Sequence, residues 1–291
     1  MSTAHGNYYL PNPSPWPILI TIGLFMLALG FALMVNSVGA GSWLMAAGAG
    51  VVIYIMARWF GQVIGESESG AYNAQVDMSF RMGMAWFIFS EVMFFAAFFG
   101  ALLYVRQFAG PWLGETDLLW PGYDYNWPTA GPKGAVPIAP DSAAGANQFS
   151  PMGAWGIPAI NTLILLSSGV TVTWAHWGLL KNNRGQLILG LIATVALGLL
   201  FLSLQAYEYV HAYQELGLTL KTGIYGATFF MLTGFHGFHV TIGTIMLITI
   251  LWRSIKGHFR PDHHFAFEAV AWYWHFVDVV WLGLFIFVYL L

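Results

Sequence analysis

The sequence predicts an all-α polytopic membrane protein with seven transmembrane helices. Three observations carry this reading. The chain of 291 residues is 58% hydrophobic and only 8% charged, with a mean hydropathy of +0.65, whereas a soluble domain is about 25% charged. Its apolar residues form continuous runs that meet the roughly 20 residues a bilayer crossing needs, not the short alternating segments of a membrane barrel. Short breaks such as Asn36–Ser42 and Lys181–Gly185 imply antiparallel neighbours.

The elements follow in order. Pro11, Pro13, Pro15 and Pro17 make the lead-in an extended arm, and no basic region precedes the first apolar run, so it does not read as a cleavable signal. The spans are expected near Ile18–Val35, Trp43–Ile64, Met78–Tyr104, Ile157–Leu180, Gln186–Tyr209, Gly223–Leu251 and Phe267–Leu291. The third and sixth are long enough to tilt or project. The stretch Gln107–Gly156, with Glu115, Asp117, Asp124 and Asp141, reads as an irregular surface cap because it has too few periodic apolar positions for a core.

Charge sets the expected orientation. Arg58, Arg81, Lys181, Arg184, Arg253, Lys256 and Arg260 fall in or beside the loops after spans two, four and six; Arg106, Lys133 and Lys221 fall on the other side. This asymmetry places the N-terminus in the cytoplasm and the C-terminus outside. Trp43, Trp59, Trp112, Trp155, Trp177 and Trp252 lie near span ends, as interfacial anchors do. A net charge of −3 gives no reason to expect nucleic acid. The absence of cysteine excludes disulfides, thiolate metal sites and iron–sulfur clusters.

The candidate functional residues are ionisable groups inside apolar runs, where they are expensive and usually have a partner or a task. The last span carries Glu268, His275 and Asp278. Glu91 lies midway along the third span, near the bilayer midplane at about 1.5 Å per residue. It reads either as a proton-active carboxyl or as a structural pin to a neighbouring helix. His236 and His239 share one helix face. Packing at a helix–helix contact, with Gly234 and Gly237 allowing close approach, is favoured over haem or metal ligation, because one helix lacks the remaining ligands. His275 and Asp278, also three apart, suggest an imidazole–carboxylate contact inside the bundle or against a partner protein. No His-Glu-x-x-His helix occurs, Ser167-Ser168-Gly169 is not a nucleophile elbow, and the seventh span has no lysine for a retinal Schiff base. No metal site is expected. Arg253, Lys256 and His258, followed by Arg260, His263 and His264, form a basic cluster suited to lipid head groups.

Several stretches together resemble subunit III of the haem–copper cytochrome c oxidases. They are Asn12-Pro-Ser-Pro-Trp-Pro17, Ser90-Glu-Val-Met-Phe-Phe95, Ser168-Gly-Val-Thr-Val-Thr-Trp-Ala-His176, Gln205-Ala-Tyr-Glu-Tyr209 and Gly234-Phe-His-Gly-Phe-His239. The longest is His263-His-Phe-Ala-Phe-Glu-Ala-Val-Ala-Trp-Tyr-Trp-His-Phe-Val-Asp-Val-Val-Trp281. The resemblance implies a two-helix bundle splayed from a five-helix bundle by a lipid-filled cleft. Residues 1–66 would hold the arm and helices one and two; residues 67–291 would hold helices three to seven and the loop at about 107–156. It implies no cofactor in this chain, with haem and copper in partner subunits I and II, and bound phospholipid. By position, Glu91 matches the family's reactive intramembrane carboxyl. Glu66 matches the acid ending the second span, preceded here by Gly65 where many relatives have a basic residue. Where many relatives have two histidines, this chain has His176-Trp177. The expected lipid-contacting set is Arg253, Lys256, His258, Trp59 and Glu66; His236, His239, His275 and Asp278 are expected at bundle or subunit interfaces. The implied function is that of a non-redox structural or regulatory subunit of a proton-pumping oxidase in a bacterial cytoplasmic membrane, supporting subunit I and proton uptake as oxygen is reduced to water in aerobic respiration. The alternatives are a stand-alone proton-coupled transporter, whose expected internal repeats are not evident, and a b-type cytochrome using His236 or His239.

Overall fold

The computed structural model describes residues 13–132, 136–137 and 148–291. The helices are α1 (Trp16–Val35), α2 (Ala40–Glu68), α3 (Ala74–Tyr104), α4 (Gly110–Gly114), α5 (Ile157–Leu180), α6 (Arg184–Gln214), α7 (Gly223–Lys256) and α8 (Phe265–Leu284). A π-helical turn at Val105–Ala109 joins α3 to α4, and another at Phe285–Leu290 extends α8. Among the described residues, seven helical stretches are long and apolar enough to cross a membrane. Residues 1–12, with Pro11 and Asn12 of the Pro-rich arm among them, lie outside the described residues, as do Lys133 and Asp141.

Helix limits follow local chemistry. Asn183 caps α6 by accepting from the Gln186 backbone N–H at 3.1 Å. Pro158 sits in the first turn of α5, where its missing N–H costs nothing. Gly257, with φ +78°, closes α7 in the left-handed conformation. The third span runs past its expected end at Tyr104. Arg106 reads as a loop charge in sequence, but it donates to the carbonyls of Leu291 (2.6 Å) and Phe287 (3.3 Å) and stacks 5.2 Å from the Trp127 ring. That anchoring lets the helical path continue to Gly114.

The chain divides into two compact units, residues 1–80 and 81–291. In the first, α1 packs on α2. Gly23 and Gly30 on α1, and Gly41 and Gly48 on α2, recur every seven residues and line the contact. A Cβ on Gly30 would run into the Met45 backbone, one on Gly41 into Met34, and one on Gly48 into Leu27. Such close backbone approach is how helices associate where lipid is as apolar as the side chains. At the end of α2, Glu66 accepts from Gln62 and Tyr72, both at 2.7 Å.

In the second unit α5 packs on α6 and α8, α6 on α7, and α7 on α8. The core is built on Trp274, Trp281, Phe201, Phe229 and Phe267, all essentially inaccessible. Hydroxyls satisfy its polar edges: Trp274 Nε1 donates to Ser168 (2.8 Å), Trp281 Nε1 to Thr162 (2.9 Å), and Thr171 pairs with Thr194 (2.8 Å). The outward faces remain apolar, as with Trp86, Leu163, Val170 and Val279, each more than two-thirds or about two-thirds exposed. A protein whose large hydrophobics point outward along whole helices has lipid as its solvent.

The loop between α4 and α5 is docked. Val136–Pro137 pairs in parallel with Gln148–Phe149, Phe149 is fully buried, and Ser150 N–H donates to Leu216 O at 2.8 Å. Ile224 and Tyr225 N–H at the start of α7 donate to Ala130 and Thr129 carbonyls, both at 3.2 Å. Tyr125 donates to Arg106 O at 2.8 Å. Burial raises the Tyr125 pKa above 10.0, with the Arg106 charge opposing.

Candidate functional site

The second unit holds four groups of buried or half-buried polar side chains. The first joins α3 to α7. Glu91 Oε2 lies 2.8 Å from His239 Nε2, with side-chain exposures of 22% and 9%, so the acid keeps a face toward its surroundings. His239 Nδ1 faces the Phe235 carbonyl at 2.6 Å. A carbonyl can only accept, so Nδ1 carries its own proton. The contact between Nε2 and Oε2 therefore holds one further proton, on either the carboxyl or the imidazole. Phe94, Phe95, Tyr273 and Phe276 surround the imidazole. The site is a proton shared inside an aromatic box and reachable from the Glu91 side.

His236, one turn earlier, is fully buried and has a different task. Its Nε2 donates to the Val277 carbonyl at 3.2 Å and its ring packs against Trp281 and Phe201. The two histidines thus face different partners. The expected role of the neighbouring glycines is not observed: Gly237 has open space and Gly234 meets only the Tyr209 hydroxyl. Gly243, against Trp274 and Tyr273, makes the close approach of α7 to α8 instead.

The second group lies between α5 and α8. His275 Nδ1 is 3.7 Å from Asp278 Oδ2, and its Nε2 is 3.2 Å from the Thr173 hydroxyl. Asp278 is buried where Gly169 leaves room for its carboxylate. His275 is nearly half exposed on a spanning helix, in an open groove of about 630 Å³ walled by Trp174, Trp177 and Val170.

The third group was not singled out from sequence. Tyr289 donates to Glu208 Oε1 at 2.6 Å, both buried. Glu208 belongs to the Gln205–Tyr209 stretch, and its partner is 81 residues away, so no local spacing announces it. The fourth gathers Arg81, His176, His264 and Glu268 where α5 ends and α8 begins.

The basic residues at the end of α7 divide by burial. Arg253 is buried with its guanidinium 4.7 Å from the Phe259 ring, whereas Lys256 is exposed and rests 3.9 Å from the Trp252 ring. His258 lies edge-on to Trp252. Trp59 is exposed on α2.

The family model for cytochrome c oxidase subunit III matches residues 5–122 and 137–291. The chain belongs to the cytochrome c oxidase subunit III family. The cytochrome c oxidase subunit 3 of Marchantia polymorpha is 44% identical over 283 residues, covering 97% of this chain and 95% of the relative. That of Arabidopsis thaliana is 40% identical over 284 residues, covering 97% and 96%. That of Equus caballus is 39% identical over 283 residues, with the same shares. The subunit III match spans both units and every polar group described above.

Proposed function

We propose that this chain serves a proton-pumping cytochrome c oxidase as its non-catalytic subunit III, supporting the redox subunits while oxygen is reduced to water. The observation that carries this is the family match across almost the whole chain together with relatives 39–44% identical over 97% of its length. The stand-alone transporter reading has no such support. Haem and copper belong to subunits I and II in this reading. The chain's own ionisable groups hold protons and charges at fixed atoms; the Glu91–His239 pair holds one.

The finer assignments rest on geometry. His275 offers a half-exposed imidazole on a spanning helix, and a polar group there is costly without a partner, which supports a subunit contact through the α5–α8 groove. The exposure of Lys256 and the position of His258 beside Trp252 support a phospholipid head-group contact at the end of α7, with Arg253 anchoring the helix end. On α2, Trp59 and Glu66 are the lipid-facing candidates. A bacterial cytoplasmic membrane is the proposed location, and the charge asymmetry supports an N-terminus on its inner side.

Co-purification tests the main reading. The tagged chain, gently solubilised, is expected to bring a haem- and copper-bearing partner with cytochrome c oxidase activity. A chain that purifies alone, or that keeps stoichiometric haem after separation from its partners, would overturn it.

A further inference from the structure

The geometry points to a divalent transition-metal site, suited to zinc, formed by His176, His264 and Glu268. The three residues offer one ligand atom each, all within 4.8 Å of one another. His264 Nε2 is 3.2 Å and His176 Nε2 3.9 Å from Glu268 Oε1. Ligand atoms around a tetrahedral zinc at about 2.0–2.1 Å lie about 3.3 Å apart, so the His264–Glu268 pair already has that spacing and a metal would draw His176 inward. Two imidazoles, one carboxylate and a fourth position for water match the donor types zinc prefers.

Two independent observations aim this cluster at a cation. His264 Nδ1 faces the Arg260 carbonyl at 3.1 Å, so Nδ1 carries the proton and the Nε2 lone pair points at Glu268. Two acceptors 3.2 Å apart repel unless a proton or metal lies between them. Moreover, His264 is only 9% exposed, and Nε2 of both His264 and His176 is buried without a hydrogen-bond partner. Arg81 holds the other carboxylate oxygen, Oε2, and so turns Oε1 toward the histidines. That is the orienting role outer partners play at metal sites. Bound metal would clamp the end of α5 to the start of α8, beside Arg81.

The test uses the chain in its isolated assembly, stripped with a chelator and dialysed against zinc. Wild type is expected to hold one zinc more than His176→Gln and His264→Gln. Each substitution should weaken binding more than about 100-fold, beyond the loss typical of outer-shell changes. His263→Gln, altering the exposed neighbour, should bind as wild type does. If a variant fails to assemble, zinc K-edge fine structure on the wild-type assembly decides, with two imidazoles and one carboxylate expected. Equal zinc content in wild type and both histidine variants, or a fine structure without imidazole, would overturn the assignment.

Discussion

At the scale of single residues, Glu91 is where position and partner combine. The proposed reactive carboxyl is half-buried, near mid-span, and shares a proton with His239. A hydrophobic carbodiimide needs a protonated carboxyl it can reach through lipid, so Glu91 is expected to be the main labelling site, ahead of Glu66 and Glu68. Glu91→Gln should abolish labelling yet preserve assembly, because an amide N–H can still donate to His239 Nε2. Initial oxygen consumption should stay near wild type. Loss of nearly all initial activity in an assembled mutant would instead put Glu91 on an obligatory proton path. Glu91→Leu is the harsher change: it strands a buried imidazole nitrogen and should cost about 1–3 kcal/mol, read as lower thermal stability.

The basic cluster separates into two effects at the same scale. Lys256→Ala removes an exposed charge worth about 1 kcal/mol toward a lipid surface. It should lower retained phospholipid in native mass spectrometry with little change in melting temperature. Arg253→Ala removes a buried guanidinium from the Phe259 ring and should destabilise the end of α7. Unchanged lipid counts in Lys256→Ala would leave the lysine a topological role only.

Among elements, the α1–α2 pair depends on glycine. Its four interface glycines repeat at seven-residue spacing, and backbone meets backbone where they touch. Gly30→Leu should force α1 away from α2, detectable as new protease sensitivity in the Asn36–Gly39 connection; an unaltered digest would contradict the close contact. The outer loop has its own weak point. Gly223 has φ +80° and faces the Ala130 carbonyl, leaving no room for a Cβ. Gly223→Ala should loosen the loop from α7, accelerating cleavage within residues 115–156 while the spans persist.

For the whole molecule, an odd number of crossings requires the termini on opposite membrane sides. Reporter fusions at the N-terminus and after Leu291 should report cytoplasm and exterior respectively, as the charge asymmetry expects. The same side for both would require one span to be re-entrant. Removing the chain from the oxidase should leave initial activity but hasten its decay during turnover, because the chain supports rather than performs the chemistry. Immediate loss of activity would contradict that role.

How much of this was legible in the residues themselves depends on range. Span positions were, because hydropathy is a property of contiguous residues; α5 begins and ends at the expected Ile157 and Leu180. The family was too, from ordered motifs. The presence of intramembrane charges was legible, since an ion in hydrocarbon stands out wherever it occurs. Their partners were not. Glu91 meets His239 across 148 residues and Arg81 meets Glu268 across 187, and no local periodicity encodes such a pairing. The spacing of His236 and His239 suggested one shared face, but packing turned one imidazole to Val277 and the other to Glu91. Arg106 read as a loop residue until the tertiary fold supplied the carbonyls of Phe287 and Leu291. The physical reason is common to all of these. Transfer to lipid is decided locally by each run of side chains, whereas satisfying a buried donor or acceptor requires a second helix, and only the folded chain brings it there.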